Sequence, residues 1–217
     1  IRLLTVDCIA VAGGPKAPGL LIKALSDENE HVRINAVNGL HKQLPAQNKE
    51  SLLEAWDKTH DNYARQQIPM IYGRIGDPSV IPELTTRLKT VNQQPVHDGF
   101  IAALAKLDFK PARAEFAELL KKARGEEVKN MIDYVKYIDD PWILPHLRPV
   151  MDRHEEAIDM SSHRTKVIRR GCDLATDEVI RISKHPFSFP VNPIEQYSDG
   201  QLMEIIRYLD PLVSQPK

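Results

Sequence analysis

The sequence predicts an all-α protein in which helical hairpins stack one on another into a superhelix. Three observations indicate this fold: the composition, an apolar pattern that recurs along the chain, and prolines between the recurring segments. Aromatic residues make up only 6% of the 217 residues, and there are 10 glycines. Sheets favour aromatic side chains and their turns favour glycine, so this composition favours helices.

One apolar pattern recurs every 31 or 32 residues, with first positions at Val32, Ala64, Val96 and Glu127. Apolar, aromatic or proline residues stand at the fourth, fifth and eighth places after each of these positions. Those offsets lie on one stripe of an α-helix. We predict that each segment is a helix with a buried face and forms the second helix of a hairpin.

A shorter apolar segment precedes each of these helices and is predicted to be the first helix of its hairpin. The segments span 18–25, 49–56, 79–88, 112–123 and 142–151. Three of them open with a proline, which suits a first helical turn because its missing N–H has no intrahelical partner: Pro78, Pro111 and Pro141. The connections carry carboxylates that can accept hydrogen bonds from free backbone N–H groups: Asp77, Asp108 and Asp140. Two such helices cannot bury their apolar faces alone, so the hairpins are expected to stack.

We predict a repeat array over 1–186 and a C-terminal cap over 187–217. The repeats are placed at about 14–44, 45–77, 78–108, 109–140 and 141–186.

The last repeat differs from the others. Extra residues within 151–163 are expected either to lengthen its first helix or to form a loop, and its second helix is expected within 165–183. The cap is expected to end in a helix over 201–209, after the start signal Ser198-Asp199. The aromatic residues expected to pack on the last hairpin are Phe187, Phe189 and Tyr197.

Two segments carry a family resemblance: DENEHVRINAVNGL at 27–40 and IYGRIGDPSVIPEL at 71–84. Val32-Arg33, the Ala36-Val37 pair and GRIGDP at 73–78 resemble HEAT repeats of the short bacterial, PBS-lyase HEAT-like kind. The resemblance covers about 14–185. It implies a right-handed α-α superhelix, a HEAT-like solenoid of about five hairpins, whose second helices line the concave face.

The resemblance implies a non-enzymatic scaffold that holds a partner protein on this concave face, such as an immunity or assembly factor. Mixed amide, aromatic and charged side chains suit protein recognition, and we expect them to be exposed on the second helices. The candidate binding residues are Arg33, Asn38, Arg65, Gln66, Met70, Arg74, Tyr134, Tyr137, Arg169 and Arg170. For Arg169 and Arg170 we expect one or both to be exposed, within a basic run that begins at 163–166 and is continued by Arg181.

Alternative activities have less support in the sequence. A HEAT-like enzyme or accessory factor, bilin lyase-like or alkylated-DNA glycosylase-like, is the second hypothesis. The net charge is −1, whereas a protein that binds nucleic acid usually has an excess of basic residues. Trp56 and Trp142 are expected to be buried rather than to stack on bases. No catalytic motif is present, and we expect no catalytic residue and no cofactor.

Side chains within 151–163 could bind a divalent metal: His154, Glu155, Glu156, Asp159 and His163. A solvated polar segment is the simpler interpretation, and we expect no metal site.

Cys8 and Cys172 are expected to be reduced, buried thiols, because they lie far apart and form no CxxC motif. We expect a cytoplasmic protein, or a periplasmic one if a signal peptide has been removed, and no membrane span. Because the chain begins at Ile1 inside an apolar stretch, further residues are expected upstream.

Overall fold

A computed structural model describes residues 1–159 and 167–214. The chain divides into two compact units, Ile1–Arg113 and Ala114–Lys217. Nearly all regular structure in the described residues is helical, and the only strands there form a single two-stranded sheet. The predicted all-α fold class is therefore confirmed. No helix in this part of the chain has the length and apolar character that a bilayer crossing demands.

The first unit consists of helical hairpins preceded by one additional helix. Its helices are α1 (Arg2–Ala12), α2 (Ala17–Ala24), α3 (Glu30–Gln43), α4 (Lys49–Lys58), α5 (Asn62–Ile75), α6 (Ile81–Leu88) and α7 (Gln94–Lys106). The second helices form one row, in which α3 packs on α5 and α5 packs on α7. Each first helix packs on the second helix of its own hairpin. The additional helix α1 lies against α3 and extends the second-helix row.

The helix starts follow from local capping, which the sequence predicts at Asp77. The Asn29 side chain accepts hydrogen bonds from the backbone N–H groups of His31 and Val32 at 2.9 and 3.4 Å, which caps α3. Asp77 accepts from the N–H of Ser79 at 2.9 Å. Because these bonds satisfy N–H groups that no helical carbonyl can reach, they end the connections and begin the helices.

Small residues allow the second helices of the first unit to approach closely. A Cβ at Gly99 of α7 would lie 2.5 Å from the carbonyl oxygen of Gln66 on α5. A Cβ at Gly39 of α3 would lie 2.9 Å from the Cβ of Ala10 on α1. Glycine is therefore needed at both helix crossings, because an added side-chain atom would force the helices apart.

The second unit contains the last hairpins and the C-terminal helix. Its helices are α8 (Lys110–Lys122), which begins before the unit boundary, α9 (Glu126–Ile138), α10 (Leu144–Leu147), α11 (Gly171–Ser183) and α12 (Asp199–Val213). Short 3-10 turns flank α10 at Pro141–Ile143 and Arg148–Asp152. The predicted helix over 142–151 is thus present as three short pieces, and Asp140 caps the first of them by accepting from the N–H of Trp142 at 3.1 Å.

The extra residues of the last repeat neither lengthen a helix nor form a simple loop in their described part. Strand β1 (Glu156–Asp159) pairs antiparallel with β2 (Ile168–Arg170). The second helix of the last repeat is predicted within 165–183. That prediction is wrong for residues 168–170, which form a strand, and the helix begins at Gly171. Asp173 stops the helix from extending further back, because its carboxylate accepts the N–H of Arg170 at 2.8 Å and caps α11.

The C-terminal segment packs on the last hairpin, as expected. Helix α12 lies against α10 and α11, and Ser198 with Gln201 forms the capping box at its start. Tyr197 is buried, with its ring 5.4 Å from that of Phe189. The ring of Phe187 meets that of Tyr208 on α12 at 5.4 Å. These aromatic contacts hold the segment between α11 and α12 in place.

Candidate functional site

Arg33, a predicted binding residue, joins two neighbouring hairpins. Its Nε and Nη2 donate to Oδ2 of Asp61 at 3.0 and 2.8 Å. Its Nη1 donates to the carbonyls of Asp27 and Glu28 at 2.9 and 3.1 Å. The other oxygen of Asp61 accepts the N–H of Ala64 at 2.8 Å and caps α5. Because its donors are occupied inside the repeat, the main contribution of Arg33 is to hold the hairpins together.

Arg65 is also engaged inside the first unit. Its guanidinium lies 4.3 Å from the centre of the Trp56 ring, and the Nε1 of Trp56 donates to the carbonyl of Arg65 at 3.0 Å. The ring of Trp56 is buried edge-on against Phe100 of the next hairpin at 5.4 Å. The predicted burial of Trp56 is confirmed, and Arg65 covers its outer side.

The expected exposure of three other candidate residues is wrong. Met70 is 8% exposed, Tyr134 is 7% exposed and Tyr137 is 8% exposed. Tyr134 meets the ring of Phe116 edge-on at 6.5 Å. A single apolar stripe underestimates the buried surface of these helices, because α5 packs on α3, α4 and α7, and α9 packs on both α11 and β1.

Arg169 is buried rather than exposed. The residue is 1% exposed, and its Nη2 donates to the Asp177 carboxylate at 3.0 Å and to the Asp173 carbonyl at 3.1 Å. The hydroxyl of Tyr197 donates to the same Asp177 carboxylate at 2.7 Å. Burial is the largest influence on the pKa of Asp177 and raises it despite these bonds. The sequence prediction failed here because β2 turns Arg169 inward, whereas a continuous helix would leave it at the surface.

Arg170 and Arg181 are paired with carboxylates in the same unit. Arg170 donates to both oxygens of Asp173 at 2.8 and 3.0 Å, and also to the carbonyl of Tyr197 at 2.7 Å. Arg181 donates to Glu178 at 2.7 Å and to Asp139 at 2.5 Å. The side chain of Arg170 is only 17% exposed, so the expectation that Arg169 or Arg170 is exposed is wrong. These bonds fasten the C-terminal segment and α9 to α11.

The predicted basic and metal-binding segments are described only in part. His163, Arg164 and Lys166 lie outside the described residues. Within 1–159 and 167–214, no three or more His, Cys, Asp or Glu side chains converge so that they could hold a metal ion.

A polar strip remains at the surface of the second-helix row in the first unit, and we call it the α3–α5 strip. Its members are Asn38, His41, Tyr63, Gln67 and Arg74. On α3, Asn38 and His41 are three residues apart. On α5, Gln67 follows Tyr63 by four residues, and Arg74 follows Gln67 by seven. The strip residues of each helix therefore lie on one face of that helix.

Two hydrogen bonds join the two halves of the α3–α5 strip. The Tyr63 hydroxyl donates to Oδ1 of Asn38 at 3.4 Å, and Nε2 of His41 lies 2.9 Å from Oε1 of Gln67. Tyr63 is 37% exposed, and Asn38 and Arg74 are exposed. The side chains are therefore held in place on a rigid scaffold while they remain accessible.

The strip carries a neutral histidine. Burial and the positive charge of Arg74 together lower the pKa of His41 to about 4, against the opposing effect of the bond with Gln67. The imidazole is thus uncharged at neutral pH, when its Nε2–H donates to Gln67. Arg74 then supplies the positive charge of the strip.

Residues 17–105 match the family model for HEAT repeats. This segment consists of HEAT repeats. The matched segment covers α2 to α7, which includes the α3–α5 strip. No curated protein matches the chain. The fold is accordingly a helical repeat scaffold, and the PBS-lyase HEAT-like subtype stays a prediction.

Within the HEAT hairpins, Asn38 and Arg74 are members of the strip that the sequence predicts as binding residues, whereas His41 and Tyr63 are members that it does not predict. The signal was present in the spacing, because His41 follows Asn38 by three residues and Tyr63 precedes Gln67 by four. Gln66, another candidate, is partly buried, and its backbone forms the crossing with Gly99.

Proposed function

We propose that this protein is a non-enzymatic scaffold that binds a partner protein through the α3–α5 strip. The observation that carries the proposal is the exposed, preorganised set of Tyr63, Asn38 and Arg74 on the second-helix row. Tyrosine and arginine are enriched at the energetic centres of protein interfaces.

Rigidity supports binding by this strip. Its side chains project from helices whose starts are capped by Asn29 and Asp61, and Arg33 ties the two hairpins together. A surface that is already ordered loses less conformational entropy when a partner docks. The buried candidate Met70 lies on α5, the helix that carries Tyr63, Gln67 and Arg74, and its packing helps to hold that helix in place.

The partner proposed for this surface offers hydrogen-bonding groups and a carboxylate. Asn38 and Gln67 supply amide donors and acceptors, and Arg74 supplies a cation. Tyr63 supplies an aromatic face with a polar end, which suits a surface that is partly hydrated. An immunity or assembly factor would use such a surface, and the identity of the partner decides between these roles.

The test is affinity capture from the native source, followed by titration calorimetry with the captured protein. Tyr63→Ala and Arg74→Glu are expected to weaken binding about tenfold or more, because contact residues of these types commonly contribute over 1 kcal/mol. Lys23→Glu, which reverses an exposed charge on the first helix α2, serves as the matched control and is expected to bind normally. A partner that binds both strip variants as tightly as the wild type contradicts the proposal.

A further inference from the structure

A polar cavity of about 770 Å³ lies in the second unit, beside the C-terminal turn of α8. Four cationic side chains line it: Lys121, Lys122, Arg124 and Arg153. None of them belongs to the surface proposed above for protein binding. The cavity is therefore a separate feature of the chain.

Arg153 is a buried cation with one guanidinium nitrogen that has no partner in the described part of the chain. The residue is only 4% exposed, and its Nη2 donates to the carbonyl of Lys121. Its Nη1 has no hydrogen-bond partner among residues 1–159 and 167–214. A buried charge that lacks an oppositely charged partner is costly, because the interior solvates it poorly.

The neighbouring arginine increases this imbalance. Nη1 of Arg124 donates to the carbonyls of Lys121, Lys122 and Ala123 at 3.1, 3.1 and 2.8 Å. These bonds satisfy the last carbonyls of α8, but carbonyl groups carry no net charge. Burial and the adjacent Arg124 lower the pKa of Arg153, which is the response expected of a buried cation beside a second cation.

Carboxylates at the cavity do not balance its cations. Glu118, Asp152 and Glu155 also line it. Asp152 is paired with Arg148 at 2.9 Å, and the same arginine is also paired with Asp210 at 2.6 Å. Three carboxylates thus face four cationic side chains, and Glu155 raises the pKa of Arg153 only as the weakest influence on it.

We propose that this cavity binds a small oxyanion of the phosphate type. The anion lies beside Arg153 and is held by Lys121, Lys122 and Arg124, which approach from the rim. Cationic side chains form short, charge-assisted hydrogen bonds with phosphate oxygens, and the cavity is lined by more cationic than anionic side chains. The site binds either free phosphate or the phosphate group of a small ligand.

The experiment is thermal unfolding and calorimetric titration of the full chain with inorganic phosphate, at an ionic strength kept constant with sodium chloride. Phosphate is expected to raise the Tm above that in chloride and to bind one site per chain. Lys121→Ala with Lys122→Ala is expected to weaken binding about tenfold or more, because hydrogen bonds to charged groups are strong. A phosphomonoester such as glycerol phosphate tests the second source, and tighter binding of the ester assigns the site to a phosphorylated ligand.

The matched control is Lys129→Ala with Lys136→Ala, which removes two exposed lysines from α9 in the same unit. This control is expected to bind phosphate normally. Arg153→Met removes the buried charge and is expected to abolish the gain in Tm from phosphate without lowering the Tm in chloride. If Arg153→Met fails to fold, the comparison of phosphate binding between the two lysine double variants still tests the proposal. Equal stabilisation by phosphate and chloride, or equal loss of binding in the two lysine pairs, overturns the proposal.

Discussion

Arg33 and Asp61 are 28 residues apart in the chain, yet two guanidinium nitrogens of Arg33 donate to the same carboxylate oxygen of Asp61. The other carboxylate oxygen caps α5 by accepting the N–H of Ala64. One side chain thus starts a helix and joins that helix to the preceding hairpin. Lys49 and Asp77 form a second ion pair with the same separation of 28 residues.

Replacing Asp61 separates its two contributions. Asp61→Asn is expected to lower the free energy of unfolding at pH 7 by about 2 kcal/mol, because Arg33 loses its charged partner. Asparagine still caps the helix, so Asp61→Ala is expected to cost about 1 kcal/mol more. Urea denaturation of the three proteins measures both differences. An Asp61→Asn variant as stable as the wild type would contradict the assignment of the ion pair.

The ion pair of Arg33 and Asp61 also predicts that the stability of the protein decreases at low pH. Burial acts to raise the pKa of Asp61, but hydrogen bonds from Ala64 and Arg33 outweigh it and lower the pKa below its ordinary value. The folded state therefore holds this carboxyl ionised more strongly than the unfolded chain does. The stabilisation is present above about pH 4 and is lost as the pH falls further, so the wild type and Asp61→Asn are expected to converge in stability under strong acid.

His41 predicts a second loss of stability at milder acidity. Its pKa is about 4 in the folded protein, whereas an unperturbed histidine titrates near pH 6.5. Between these values the unfolded chain binds a proton that the folded chain does not, so stability falls as the pH is lowered from about 6.5 to about 4. The expected loss is about 3 kcal/mol at most. Urea denaturation across this pH range is expected to show this loss of stability in the wild type and in the control variant His60→Gln, whose histidine is exposed. The loss is expected to be absent in His41→Gln.

Gly99 and Gly19 are expected to respond oppositely to alanine. Gly99→Ala is expected to destabilise the protein by about 1–3 kcal/mol, because the new Cβ would meet the backbone carbonyl of Gln66. Gly19 is also helical, but a Cβ there has no neighbour within 4 Å. Gly19→Ala is expected to stabilise by about 0.5–1 kcal/mol through helix propensity. Thermal unfolding of both variants tests this, and equal effects would refute the close crossing of α5 and α7.

The two cysteines are expected to react at different rates with a thiol reagent. Cys8 is exposed, which corrects the expectation that both thiols are buried, whereas Cys172 is fully buried. Burial raises the pKa of Cys172 to about 11, so little reactive thiolate forms at neutral pH. Ellman's reagent is expected to modify one thiol rapidly in the native protein and the second only in denaturant. Cys8→Ser is expected to remove the rapid phase, and a native Cys172 that reacts as fast would disprove its burial.

Most helix positions could be predicted because their signals are local. Asn29, Asp77 and Asp140 cap elements that begin within one to three residues of them, and the recurring apolar stripe marks each second helix. Strand β2 could not be predicted in this way, since Ile168–Arg170 becomes a strand only by pairing with β1. The burial of Arg169 follows from that pairing and from a distant partner, Tyr197.

The sequence by itself determined the repeat, its helices and most of their caps, because periodicity and capping act over a few residues. The tertiary structure decided which polar and aromatic side chains remain accessible. Met70, Tyr134 and Tyr137 are covered by neighbouring helices, whereas Tyr63 remains at the surface. Exposure depends on all the elements that surround a side chain, and those elements are brought together by contacts between residues far apart in the chain.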